Sequence, residues 1–532
     1  MTASFNRLFC QAAREENRLR KLMVLTLSRK PLMNHKHGAK IMVSCKKAHH
    51  LQNLPSHAVN LKRGGAIMSV LNVGIDLGVT SKHQAEIRDE QGKKVRPSFS
   101  FFGSKEGLDA LCNHALEDGP EGAKLRFICE PTSMSWFPLA VYAISRGHEM
   151  VRVKGQKAHD LREYYSKHKK RDRIDAKVLS LMPVVDRDSL EEVHLPDKII
   201  YALDRRCRQR EKLAKSISAA KTRFKSLYHW VMPELTSCLE NPFGSRARAF
   251  YAKYTNPFKV KQLGLSRLTS FLSKSGRQKM EPGLPEKVYQ VAMEACRLYE
   301  SASKKIDFDE LQQEVECELQ MLEFYEKVQA QVETAIERLY DQAHPSKNIE
   351  TIVGISETLG PVFLGIIREP GRFPSQSKMR GYSGMIPKQD DSGESSKKGL
   401  NITKDGSPRY RRGLYLAADI GRQWDPQLAK IYYDQMVHKG NCHTQAVCAV
   451  ATHMPARIHV VLKEDRPYEL RDIEGKPISK KDAKVLIQRE FTVPEEVRQR
   501  TRSRKKRRRR KEGHKRDQVR GLATTLQASR FA

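Results

Sequence analysis

The chain has 532 residues, 97 of them Lys or Arg against 62 Asp or Glu, for a net charge of +35. That length gives roughly three to four domains with sizeable cores, and the charge calls for a polyanionic partner, nucleic acid first among them. No apolar run nears the ~18 residues of a membrane span, so no membrane partner is expected. Ten scattered cysteines without a CxxC pair exclude a disulfide framework or zinc ribbon and fit a reducing, cytoplasmic setting.

Residues 1–67 are basic, without periodic pattern and without the h-region of a signal peptide. They read as a flexible arm or as sequence upstream of the true start. Met68 opens the first convincing strand, VLNVGIDL, ending near Gly78; HQAEIRD is a second, and RPSFSFF a third after the turn-like QGKK. A helix over about 104–117, the buried-type strand LRFICE, a helix near 135–146, the short strand EMVRV and helical residues to Leu181 follow. A three-strand meander followed by alternating helix and strand is the order of an α/β domain of the RNase H/RuvC type, assigned to 68–190.

Four carboxylates stand out in that domain: Asp76 on the first strand, Glu130 at the end of the fourth, and Asp172 and Asp175 in KKRDRIDAK. The last two are three apart and share one helix face. Bunched carboxylates repel unless cations lie between them, so the set implies divalent metal, Mg²⁺ with Mn²⁺ able to substitute. Lys169, Lys170, Arg171 and Arg173 surround the helical pair and are placed to hold a phosphate backbone over the metals. A merely basic protein of ribosomal type needs no such ordered set.

Residues 191–345 read as mostly helical, with a small helical insert. An apolar stripe runs Phe308, Leu311, Val315, Leu319, Leu322, Tyr325, Val328, Val332, Ile336, Leu339. Such a stripe suits a coiled-coil dimer contact or a helix packed within the chain, and the sequence leaves both open. In 346–465, IETIVGISETLGPVFLGII has two apolar turns joined at Gly354 with a second glycine at Gly360. It reads as a helix-hairpin-helix-like element whose amides can bind phosphate, or as a plain tight turn. A Gly/Ser-rich loop follows, then SPRYRRGLYLAADIGRQW, a helix with Arg409, Arg411 and Arg412 at its start and nucleic acid as their expected contact. Cys442, His443 and Cys448 have no zinc spacing and read as core thiols beside a surface histidine. Residues 466–532 form a charged tail that contains RQRTRSRKKRRRRKEGHKR, a disordered run that attracts nucleic acid without sequence preference.

The segments GIDLGVTSK, FICEP, KKRDRIDAKVL, TIVGISETLGPVFLGII, RFPSQSKMRGYSGMIPKQDDSG and ITKDGSPRYRRGLYLAA resemble, in order, the motifs of the DEDD-type insertion-sequence transposases, the family numbered one-ten with its eleven-eleven relatives. The resemblance covers roughly residues 70–465. It implies a RuvC-like domain with Asp76, Glu130, Asp172 and Asp175 as metal ligands, and a mainly α C-terminal transposase domain. That second domain would supply a serine nucleophile, which maps to Ser392, with Ser383, Ser395 and Ser396 as neighbours. It implies donor and target DNA as partners, a structured element-encoded guide RNA as in several members, a homodimer or homotetramer, and a prokaryotic, nucleoid-associated protein. Arg171 stands where the family often has threonine, and GVTSK replaces the more usual residues after the first Asp. Residue chemistry leaves a second function open, a metal-dependent Holliday-junction or structure-specific endonuclease that uses the carboxylates and water without Ser392.

Overall fold

A computed structural model describes residues 69–502 apart from 118, 120–121, 131–133, 166–171, 188–189, 277–278, 302–304, 390, 393–394 and 397–399. The chain divides into two compact units, one of Met1–Val70 with Asp118–Lys124 and one of Leu71–Glu117 with Leu125–Ala532. In the first, the Lys124 amide donates to the Ser69 carbonyl at 2.9 Å. The second carries the body of the sheet and all the described helices.

Three strands form the expected meander: β1 (Val70–Asp76), β2 (His83–Arg88) and β3 (Lys94–Phe101), paired antiparallel with Asp76 opposite Gln84. After α1 (Lys105–Leu116) come β4 (Lys124–Cys129), α2 (Trp136–Ser145), β5 (Glu149–Arg152), α3 (Gly155–Tyr165), α4 (Asp172–Val185) and a two-residue β6 (Glu191–Glu192). The strand order is β3-β2-β1-β4-β5-β6, with β4 and β5 parallel and β6 antiparallel to β5. This mixed sheet with flanking helices fits an RNase H-like domain.

Strand alternation sorts the side chains onto two faces. Leu71, Val73, Ile75 and Leu77 join Leu108, Leu111, Trp136 and Leu139 of α1 and α2 in one core. On the opposite face, Ile128 and Val151 meet Ala158 of α3 and Leu179 and Met182 of α4. Gly74 faces α4. A Cβ there would lie 2.2 Å from the Ser180 amide nitrogen and 2.3 Å from the Ala176 carbonyl. The missing side chain therefore lets α4 lie directly on β1, and Asp76, two residues on, shares that face.

The helical middle is built on an antiparallel pair, α5 (Lys198–Val231) and a later 36-residue helix, Phe308–Ala343. Between them lie α6 (Ser245–Tyr251), α7 (Pro257–Lys274) and α8 (Leu284–Tyr299), which makes the later helix α9. At one end of the pair Leu203 and Cys207 meet Val332, Ile336 and Leu339; at the other, Phe224 and Tyr228 meet Val315 and Leu319. Arg223 and Glu318 pair across them at 3.0 Å. Much of the apolar stripe of α9, Val315, Leu319, Val332, Ile336 and Leu339, thus packs within its own chain. Periodicity marks which face is buried but not which partner buries it.

Helix α10 (Gly360–Ile367) is buried along its whole length. Before it, residues 348–351 form only a 3-10 turn. Gly354 adopts φ +95°, and its Cβ would lie 2.1 Å from the carbonyl of Ala417; that of Gly360 would lie 2.5 Å from the Tyr340 hydroxyl. Both glycines allow close packing, which answers for their presence without a phosphate. Then come α11 (Gln376–Ser383), a two-stranded β7–β8 pair (Asp391–Ser392 with Ser395–Ser396), α12 (Pro408–Gly421), α13 (Pro426–Tyr433), α14 (His443–Ala451) and α15 (Met454–Glu464).

Structure continues beyond 466, where the sequence suggests only a charged tail. Tyr468 donates to Asp425 at 2.7 Å and accepts from Arg457 at 2.9 Å, α16 (Lys480–Glu490) buries Ala483, and Val493 reaches the C-terminal core. The basic run after Arg502 lies outside the described residues. Among the described residues no helix is long and apolar enough to cross a membrane.

Candidate active site

Asp76 ends β1, Glu130 follows β4 directly, and Asp172 and Asp175 occupy the first turn of α4. The close approach at Gly74 brings that turn to the end of β1. The four carboxylates form one electrostatic group. Asp76 is half-buried, and its carboxyl is pushed up from 3.8 to about 6, first by burial and then by Asp175, Asp172 and Glu130.

One opposing influence on Asp76 comes from a residue with no signal in the sequence, Arg162 of α3. Its guanidinium lies 2.5 Å from Asp175 Oδ1 and 3.7 Å from Glu130 Oε1. It is a positive charge that helps the carboxylates coexist as they stand. His83 holds the loop beyond Asp76. Its Nδ1 accepts from the Gly78 amide at 3.1 Å, and burial lowers its pKa, which keeps the acceptor nitrogen unprotonated.

Among the described residues, no three His, Cys, Asp or Glu side chains stand close enough to grip one ion. The donor chemistry nevertheless fits a hard divalent cation, since all four groups offer carboxylate oxygens and no thiolate or imidazole joins them. The raised Asp76 carboxyl reflects burial first and then the negative charge of its three carboxylate neighbours, which Arg162 only partly offsets. Asp76, Glu130, Asp172 and Asp175 are the residues that would hold such an ion.

Lys169, Lys170 and Arg171 lie outside the described residues; Arg173, on the first turn of α4, is exposed. Arg409 is engaged within the fold, with NH1 2.6 Å from Asp204 and Nε 2.9 Å from Glu211, and ties α12 to α5. Arg411 donates to the carbonyls of Lys404 and Gly406. Arg412 is exposed. Ser392 lies on β7 opposite Ser395, where the backbone alone is described. Its neighbour Ser383 is buried, donates to the Arg380 carbonyl at 2.6 Å and accepts from the Met385 amide at 3.1 Å, and so is unsuited to attack a polymer substrate. Cys442 and Cys448 are free thiols, and His443 Nδ1 lies 2.9 Å from the Tyr432 hydroxyl.

Residues 73–233 match a family described as a DEDD-type transposase, and residues 346–433 match a transposase family described as IS116/IS110/IS902. An insertion element IS110 uncharacterized 43.6 kDa protein of Streptomyces coelicolor is 23% identical over 401 residues, 75% of this chain and 95% of that protein. Pilin gene-inverting proteins of Moraxella lacunata and Moraxella bovis are each 28% identical, over 126 and 131 residues. Those matches span 23% and 24% of this chain and 38% and 40% of the inverting proteins. The first family match contains all four carboxylates, and with the second it makes this chain a member of the IS110 family of DEDD transposases, DNA transposase/recombinase enzymes for which the family implies a divalent metal.

Proposed function

We propose that the chain cuts and rejoins the DNA of an insertion sequence through a serine-phosphate intermediate, with Asp76, Glu130, Asp172 and Asp175 as ligands of Mg²⁺, for which Mn²⁺ substitutes. The observation that carries this reading is the set of four carboxylates at the ends of β1 and β4 and in the first turn of α4, with Arg162 set against Asp175 and Glu130. The cation, when bound, stabilises charge on the attacking and leaving oxygens.

The Ser392 hydroxyl oxygen attacks the scissile phosphorus and gives up its proton to a carboxylate. The departing deoxyribose oxygen takes a proton as its bond to phosphorus breaks. A phosphoserine ester replaces the phosphodiester, and a deoxyribose hydroxyl from the second DNA reverses the exchange without an external energy source. Serine needs such help because its hydroxyl is a weak nucleophile at its ordinary pKa.

Donor and target DNA are the substrates, and Arg173 and Arg412, exposed near the two motif regions, lead the phosphate contacts, joined by Lys169, Lys170 and Arg171. A structured element-encoded RNA serves as guide in this reading. Strand exchange needs two DNA sites cut together, which makes the working unit a homodimer or homotetramer in the nucleoid. The inverting function named for the Moraxella relatives supports rejoining over simple cutting. The domain arrangement follows: 68–190 catalytic, 191–345 helical, 346–465 transposase.

The experiment is replacement of each carboxylate by Ala in turn. Each variant should lose divalent-dependent cleavage of element-end DNA and keep DNA binding. Full cleavage by Glu130→Ala would remove Glu130 from the site.

A further inference from the structure

The C-terminal domain contains a cavity of about 340 Å³ lined by Arg422, Tyr432, His443, Thr444, Arg498 and Arg502 among others, with no carboxylate among the described residues of its lining. It lies where α13, the start of α14 and the helical turn at 495–502 converge on the end of α12. Its size falls within the range of small-ligand sites.

The three arginines are held differently. Arg422 lies over the Tyr432 ring, 4.1 Å from its centroid, and pairs with Asp419 at 2.8 Å, which fixes its guanidinium in place. Arg502 is exposed and stands 3.6 Å from Glu495. Arg498 differs. Its Nε is buried and meets no hydrogen-bond acceptor among the described residues. Thr501, itself buried, donates to the Arg498 carbonyl at 2.9 Å and anchors that turn. A buried guanidinium nitrogen without an acceptor is unfavourable unless something supplies one. A cavity with three arginines and no carboxylate among its described lining residues favours an anion, and the guanidinium fork matches the oxygens of a phosphate.

We propose that this cavity binds a backbone phosphodiester of a nucleic acid, with Arg498 and Arg422 on the phosphate oxygens and Arg502 at the rim. We commit to a strand over a free anion because the sequence after Arg502 continues as SRKKRRRRK, a run of cations that attracts a polyanion without sequence preference. The proposal rests on the reading of this chain as a DNA recombinase, which needs contacts that position a strand apart from the chemistry. Phosphate contacts of this kind fix register without reading sequence. DNA and guide RNA share the chemistry, so the test must separate them.

In the full chain, Arg498→Gln and Arg502→Gln are compared with Arg500→Gln, an exposed residue of the same segment outside the cavity lining. A labelled DNA duplex and an RNA strand of the same sequence are titrated across a range of NaCl concentrations. For whichever nucleic acid occupies the cavity, Arg498→Gln should lower the log–log salt slope by about 0.9 on duplex DNA or about 0.7 on a single strand. Arg502→Gln should move the same slope in the same direction, and Arg500→Gln should move it less. Arg502 has little part in packing, so its variant keeps the test valid if Arg498→Gln fails to fold. Inorganic phosphate should raise the melting temperature of the unmodified chain more than that of Arg498→Gln. Unchanged slopes for both nucleic acids in both cavity variants, or an equal change in Arg500→Gln, would overturn the proposal. A chain that lacks strand exchange but shows these slope changes would sink the recombinase reading and leave the phosphate site standing.

Discussion

Replacing Asp76 by Asn should stabilise the metal-free protein, because the buried carboxylate is held against its neighbours. A carboxyl raised from 3.8 to about 6 corresponds to about 3 kcal/mol at 1.36 kcal/mol per pH unit; partial solvent access reduces this to about 2 kcal/mol. The sign follows from proton binding. Between pH 3.8 and about 6 the folded state holds a proton that the unfolded state has released, so stability falls as pH rises through that window. The penalty is full above it and absent below. Asn is neutral at every pH, so Asp76→Asn should match the parent in acid and exceed it by about 2 kcal/mol near neutrality. Urea unfolding without metal, followed by Trp136, the first residue of α2, in the core with Trp230 and Trp424 changed to Phe, reports on this domain. Mg²⁺ should then narrow the gap by stabilising the parent alone. A variant no more stable than the parent at neutral pH, or a gap that persists in acid, would refute the electrostatic account.

Gly74→Ala should cost about 3 kcal/mol and abolish strand cleavage, because its Cβ meets backbone of α4 and not a movable side chain; urea unfolding and a cleavage assay check both. Arg162→Gln removes the cation between Asp175 and Glu130, so the metal-free domain should lose about 1–2 kcal/mol while Mg²⁺ stabilises the variant more than the parent. Equal Mg²⁺ effects in a thermal-shift titration would speak against that. Truncation after Arg502 should weaken duplex binding and flatten its salt dependence by about 0.9 in slope for each phosphate the shortened chain no longer neutralises; an unchanged slope would make the basic run a bystander.

The catalytic domain was legible because its strands are short, alternating and separated by turn residues, so Asp76 and Glu130 could be read at strand ends that the structure places within a residue or two. The three-residue spacing of Asp172 and Asp175 likewise survives on α4. Arg162 was not legible. It reaches the carboxylates from another helix, and only tertiary packing decides which exposed-looking arginine turns inward. The α9 stripe shows the same limit, for amphipathicity specifies a buried face and leaves its partner unnamed. Gly354 and Gly360 fit a phosphate-binding turn by spacing, yet their neighbours are Ala417 and Tyr340. Residues 466–502 are too polar to announce a fold. They are held partly by the buried Asp425 with Arg457 and Tyr468, a polar network that hydropathy does not register.

Ser392 tests the central claim most directly, because recombination through a serine-phosphate requires a bond between protein and DNA that a water-using nuclease never forms. The reaction is denatured part way, the DNA digested, and the peptide containing Ser392 weighed by mass spectrometry. The account predicts a nucleotide attached to Ser392, and loss of both adduct and strand exchange in Ser392→Ala with DNA and metal binding retained. Strand exchange at the parental rate by Ser392→Ala would contradict it and favour a metal-dependent junction endonuclease acting through water.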